Sequence, residues 1–243
     1  LSKSIIERYS RQIILKNIGA IGQKKILSSK VLVIGAGGLG CPISEFLARA
    51  GVGTIGVVDD DNIVLSNLHR QSLYDLSDVG KSKVVVVKKK LKLINPNTKI
   101  KTYRLRLDKI NIKKIAKNYS YIVDGSDNFK TKFLLSDYCS KNKKTLVVGA
   151  ISKFDGHIFS FNFKNINNSC LRDFFQEQII TDEIFNCEYE GILGTVAGIV
   201  GTMMANEVLK NILKIGENLN GFIIILDLLN LNLRKVKLNK MKS

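Results

Sequence analysis

Apolar residues recur along this chain with two spacings, and the alternation between them lays out the elements. Residues 31–34 are a short β-branched run that ends in Gly35-Ala36-Gly37-Gly38-Leu39-Gly40, and Ala and Leu then recur at helical spacing as far as Ala50. A second strand is predicted over 54–58. A polar loop follows over 60–78, then a helix over 81–94 with lysines on one face and Val and Leu on the other, stopped at Asn95-Pro96. Strand 99–105, helix 109–118, strand 121–123, helix 129–141 and strand 145–148 complete a β-α-β-α-β-α-β-α-β series. Such alternation predicts an α/β fold with a doubly wound, Rossmann-like, mostly parallel sheet.

The pattern then changes. Residues 156–163 alternate as a half-exposed antiparallel strand does. Residues 164–190 have little periodicity and read as a mobile loop. An apolar, glycine-spaced helix is predicted over 192–214, and 221–227 with 230–238 read as a closing hairpin, an antiparallel C-terminal extension. Ahead of the sheet, Ile13, Ile14, Leu15 and Ile18 suit amphipathic helices packed outside it. No repeat or composition break divides the chain, so 1–243 is expected to be one domain: a helical arm over 1–28, an ATP-binding core over 29–150, and over 151–243 the loop, a helix whose glycines suggest close packing on another backbone (the chain's own sheet or a second copy in a dimer), and the hairpin.

Composition narrows this picture. The formal charge is +17, from 38 basic and 21 acidic residues. The lysines are scattered over helices rather than gathered beside aromatics, which fits a solvated surface and no nucleic-acid partner. Four cysteines (Cys41, Cys139, Cys170, Cys187) lie far apart with no CxxC pair, and no leader-like segment opens the sequence. The expected compartment is the cytoplasm or an organelle interior. The longest uncharged run, 191–206, is 16 residues, short of the roughly 20 that a membrane span needs.

The candidate chemistry starts at the glycines. Gly35 permits a tight turn, Gly37 lets phosphate approach the backbone, and Gly40 lets the helix pack close to the strand. Freed N–H groups at the helix start make an anion site. Asp59 ends the second strand, where a carboxylate can bind a ribose hydroxyl. The motif alone indicates a nucleotide. Asn67, Arg70, Gln71, Lys83 and Asp127 are not explained as core. A helix cap accounts for Asp127 taken singly, and a solvated helix face for Lys83. Together, however, they supply cations for phosphate oxygens and a carboxylate for phosphate-bound Mg²⁺, which favours a nucleoside triphosphate over NAD. Neither His69 nor His157 has a recognisable catalytic setting, which also counts against hydride transfer.

At this point the sequence resembles a known family. Arg8-Tyr9-Ser10-Arg11-Gln12, the glycine motif, Ala50-Gly51-Val52-Gly53, Asp59-Asp60-Asp61, Leu65-Ser66-Asn67-Leu68-His69-Arg70-Gln71, Val79-Gly80-Lys81-Ser82-Lys83 and Asp124-Gly125-Ser126-Asp127-Asn128 stand in the order and spacing of the ThiF/MoeB/HesA adenylyltransferases. These are bacterial relatives of ubiquitin-activating enzymes. The likeness runs on through Cys187-Glu188-Tyr189-Glu190-Gly191 and the glycine-spaced helix, covering essentially the whole chain.

The resemblance implies that the Gly-Gly carboxylate of a ubiquitin-like sulfur carrier attacks the α-phosphate of ATP, giving an acyl-adenylate and pyrophosphate. It implies nucleotide contacts from Gly35, Gly37, Gly38, Gly40, Asp59, Asp61, Ser66, Asn67, Arg70, Gln71, Lys83, Asp127 and Asn128, with Asp127 acting on Mg²⁺. Arg11 is implied to reach the ATP of the partner subunit in a homodimer, and Cys187 to match a loop cysteine used for covalent sulfur transfer. The wording of the motifs is closest to ThiF, which serves a ThiS-like carrier in thiazole (thiamine) synthesis. MoeB, serving a MoaD-like carrier in molybdopterin synthesis, is the alternative. The resemblance also brings a structural zinc, which relatives commonly bind through two CxxC pairs, one in the loop and one near the C-terminus. Here the first pair reads Cys170-Leu171-Arg172-Asp173 and no second stands near Lys240-Met241-Lys242-Ser243, so zinc is expected to be lost. A non-catalytic nucleotide-binding scaffold is the reading of another class, and intact Arg11 and Asp127 count against it.

Overall fold

The computed structural model describes residues 1–164, 169–175 and 191–238. Five strands, β1 (Lys30–Ile34), β2 (Thr54–Val58), β3 (Lys99–Tyr103), β4 (Tyr121–Asp124) and β5 (Thr145–Ser152), run parallel. Three more, β6 (Asp155–Asn162), β7 (Phe222–Asp227) and β8 (Asn232–Lys237), continue the sheet antiparallel. Their order is β3-β2-β1-β4-β5-β6-β7-β8. The α/β class and the mostly parallel sheet with an antiparallel extension are therefore as the periodicity predicts.

Helices α1 (Lys3–Arg8), α2 (Ser10–Ile13) and α3 (Gly19–Ser28) precede the sheet, and α4 (Gly40–Ala50), α5 (Lys83–Ile94), α6 (Ile112–Ala116), α7 (Phe129–Lys141) and α8 (Gly194–Leu213) cover it. The central strands are buried on both faces, which is why they read as continuous apolar runs. Val31 and Val33 of β1 enter one core with α4, α5 and α8; Leu32 and Ile34 enter the other with α6 and α7. Among the described residues no helix is long and apolar enough to cross a membrane.

Several expectations are corrected. Neither α1 nor α2 buries a side chain; the buried anchor of the arm is Tyr9 between them, whose hydroxyl accepts from Asn95 Nδ2 at 2.8 Å. Strand β5 runs to Ser152 rather than stopping at Val148, because residues 149–152 pair with β6 beyond the end of β4. Helix α6 is shorter than 109–118, since Asp108 captures the N–H groups of Ile110 and Asn111 and holds that stretch as a turn. Part of the expected mobile loop is docked: Leu171 N donates to the buried Ser136 Oγ at 3.0 Å, and Arg172 pairs with Asp137 at 2.7 Å. Cys187 lies outside the described residues.

Candidate functional site

Strand order reverses between β1 and β4, and there the turns after both strands meet. Such a crevice at the carboxyl ends of parallel strands is where open α/β sheets bind ligands. Gly35 has φ +85°, and a Cβ on it would lie 2.9 Å from the Gly125 carbonyl of the facing turn. A Cβ on Gly40 would collide with the Gly35 carbonyl, so the helix can start this close only with glycine there. The Ala36 N–H donates to Asp59 Oδ2 at 2.7 Å, while its carbonyl accepts from the Tyr74 hydroxyl at 2.7 Å. The next four N–H groups, of Gly37, Gly38, Leu39 and Gly40, donate to no acceptor among the described residues. Unsatisfied donors at the positive end of an eleven-residue helix form an anion cradle.

Charged side chains gather around it. Asp59 accepts Asp61 N at 2.9 Å with its second oxygen, and burial pushes its carboxyl up, opposed by the nearby Lys83 ammonium. Lys83 is only 6% exposed despite its place on a lysine-rich helix, and its Nζ meets Asp61 Oδ2 at 2.7 Å. Arg70 leans on the cradle, its Cγ 3.6 Å from where a Cβ of Gly38 would stand. Its Nη1 donates to Ser66 O at 2.9 Å and lies 2.8 Å from His69 Nε2. Gln71 is buried beneath Gly37, and its Oε1 has no partner among the described residues.

Two predicted contact residues hold the local backbone instead of only facing the cradle. Asn67 Oδ1 accepts Val64 N at 3.2 Å and closes the turn that carries Arg70. Asn128 Oδ1 accepts Thr131 N at 2.9 Å and caps α7. Asp127, one residue earlier, is exposed just after the turn that faces the glycines, and among the described residues it meets only Asn128 Nδ2, at 3.4 Å. An exposed carboxylate close in sequence to the turn that faces the glycines suits Mg²⁺ bound jointly with phosphate. Asp59, Asp60 and Asp61 also stand within 4.8 Å of one another, yet Lys83 and two N–H groups already supply positive partners there.

Arg11 is not at this site within one chain. Its neighbour Gln12 donates to Ala50 O at the far end of α4, and a helix of eleven residues puts that end about 16 Å from the cradle. Cys170 is half-buried, and the Asp173 carboxylate that stands in its CxxC-like position accepts Cys170 N at 2.8 Å.

Two features escaped the sequence reading. Asp124 is fully buried at the end of β4, and Lys132 reaches it at 3.3 Å while also donating to Ser126 O at 2.7 Å and Gly149 O at 2.8 Å. This pair frames the turn that presents Asp127. Tyr74 is the second. The only available signal for either was an aromatic or a lysine beside a recognised motif.

Comparison with known proteins gives the chain a family. A model of the ThiF family matches residues 9–243. The chain is 38% identical over 242 residues to the "Sulfur carrier protein adenylyltransferase" of Thermus thermophilus, covering 98% of this chain and 89% of that protein. It is 38% identical over 238 residues to the "Probable molybdopterin-synthase adenylyltransferase" of Gracilaria tenuistipitata, covering 98% of this chain and 66% of that one. With the "Adenylyltransferase and sulfurtransferase MOCS3" of Aedes aegypti it shares 39% identity over 243 residues, but spans only 55% of that protein's length. Among solved structures, PaaA superposes with a TM-score of 0.83 at 21% identity over 99% of this chain and 76% of its own. E. coli MccB with ATP does so at 0.80 and 23%, over 97% and 73%. These two likenesses concern the fold alone.

Proposed function

This chain belongs to the ThiF family, and from that premise we propose that it is an ATP-dependent adenylyltransferase acting on the C-terminal carboxylate of a ubiquitin-like sulfur carrier. The observation that carries the reading is the run of four N–H groups from Gly37 to Gly40 without an acceptor among the described residues, with Arg70 against Gly38, Lys83 near Asp59, and Asp127 just after the turn that faces the glycines. A C-terminal carboxylate, with a pKa of about 3.5, is already ionised at neutral pH, so its attack on phosphorus needs no base. The obstacle is repulsion between two anions, and fixed cations and N–H dipoles relieve it. A site whose nearest histidine is spent on Arg70 is therefore adequate.

Within this reading, Asp59 takes the ribose hydroxyls, and the Gly37–Gly40 amides with Arg70 and Lys83 take the phosphates. Asp127 would hold Mg²⁺, which would supply further charge neutralisation. Arg11, exposed and remote from its own cradle, completes the partner subunit's site in a two-fold dimer. Cys187 is the proposed acceptor for later covalent sulfur transfer. The motifs favour a ThiS-like carrier; a MoaD-like carrier is the second reading, supported by the molybdopterin-synthase name of a relative.

The test is pyrophosphate exchange into ATP with each carrier bearing a free Gly-Gly terminus. Exchange is expected with one of them and not with a carrier whose terminal carboxylate is amidated. Asp127→Ala and Arg70→Ala are each expected to lower it about a hundredfold or more. Near-normal exchange in both variants removes these residues from the mechanism, and no exchange with any carrier overturns the adenylyltransferase reading.

A further inference from the structure

Beneath the cradle lies a buried phenol that the proposed chemistry does not use. Tyr74, 7% exposed, directs its hydroxyl at the Ala36 carbonyl at 2.7 Å, and the Cys41 thiol approaches the same oxygen at 3.5 Å. Both donors come from the core side. The Ala36–Gly37 peptide is planar and trans, so its N–H points opposite to its C=O. Drawing the carbonyl inward therefore turns the Gly37 N–H outward, and that N–H has no acceptor among the described residues. The preceding peptide is fixed independently, because its N–H, on Ala36, is held by Asp59. Two successive peptides are thus set by two different side chains, Asp59 and Tyr74.

Resting on the nucleotide reading above, we propose that Tyr74 is a positioning residue that presets the Gly37 amide toward a phosphate of the bound nucleotide. Its contribution goes to ATP binding rather than to the chemical step, since the amide is preorganised before any charge develops. Without the hydroxyl, the Ala36–Gly37 peptide can rotate toward alternatives that glycine tolerates freely. Losing one such bond is expected to weaken ATP binding about three- to tenfold.

The sequence offers a clean probe. Ala-Gly steps occur at Ala36-Gly37, Ala50-Gly51 and Ala197-Gly198. Labelling the full chain with carbonyl-¹³C alanine and ¹⁵N glycine selects the amides of those three glycines by NMR. In the unaltered protein, ATP and inorganic tripolyphosphate are both expected to move the Gly37 signal and to leave Gly51 in place. In Tyr74→Phe the Ala36 carbonyl signal shifts, Gly51 and Gly198 stay put as witnesses of an intact fold, and Kd for both ligands rises three- to tenfold while kcat holds. Unchanged affinity in the folded variant overturns the proposal. So does a Gly37 amide that ignores ATP bound to the unaltered chain, a result that needs no substitution and stands even if Tyr74→Phe does not fold. If the unaltered chain binds neither ATP nor tripolyphosphate, the nucleotide reading itself fails, whatever Tyr74 does.

Discussion

Lys132 serves three oxygens from inside the protein, those of Asp124, Ser126 and Gly149, with 4% of its surface exposed. Removing one partner of a buried ion pair strands the other, at a cost of about 3–5 kcal/mol. Lys132→Met is therefore expected to lower unfolding free energy in urea by that amount, and to reduce pyrophosphate exchange by loosening the turn before Asp127. In sequence this lysine was indistinguishable from the many solvated ones, because only the closing of β4 against β5 brings Gly149 to it. Lys83 was legible for the opposite reason: a motif surrounds it. At His157, half-buried in β6, burial lowers the imidazole pKa, with Asp155 partly opposing. The sign follows from linkage. A depressed pKa means stability that is present above the ordinary value of about 6.5 and is lost as pH falls through the folded value. Unfolding free energy measured from pH 8 downward should decline through that window, and His157→Gln should flatten the decline.

Among the elements, α8 shows how far a pattern can be read. Its glycines signalled a close backbone neighbour but not which one. Gly194 abuts the His69 carbonyl and Gly201 abuts Pro42 and Leu39, so the neighbour of both is the chain's own α4 and Arg70 loop. Gly191 lies outside the helix, and a Cβ on Gly198 would meet nothing within 4 Å among the described residues. Gly201→Ala is expected to destabilise by more than about 1 kcal/mol, the scale of overpacking a filled site. Gly198→Ala should stabilise by up to about 1 kcal/mol through helix propensity, unless a second copy packs there. Thermal unfolding of the two variants distinguishes these outcomes. From β1 to residue 148, α6 excepted, strand and helix positions were legible because both sheet faces are buried and each covering helix has one apolar side. The extension of β5 was not, since it depends on β6 as a partner.

For the molecule as a whole, the distance between Arg11 and its own cradle makes the proposed dimer testable. Arg11→Ala and Asp127→Ala are each expected to be inactive alone. After subunit exchange, heterodimers gather both substitutions in one site and leave the other intact. About a quarter of normal activity should return under random pairing. Mixtures that stay inactive despite proven exchange exclude action across the interface. The strand order carries a different consequence, for the nascent chain. β1 sits between β2 and β4, yet β4 is made roughly 90 residues later, or about 5–20 seconds at ordinary translation rates. Through that interval β1, joined by β2 and late in it by β3, can associate only with Val31–Ile34 as a bare apolar edge. An unpaired edge of that kind templates aggregation. Emergence from the ribosome, rather than life as a finished protein, is when this chain most needs a chaperone.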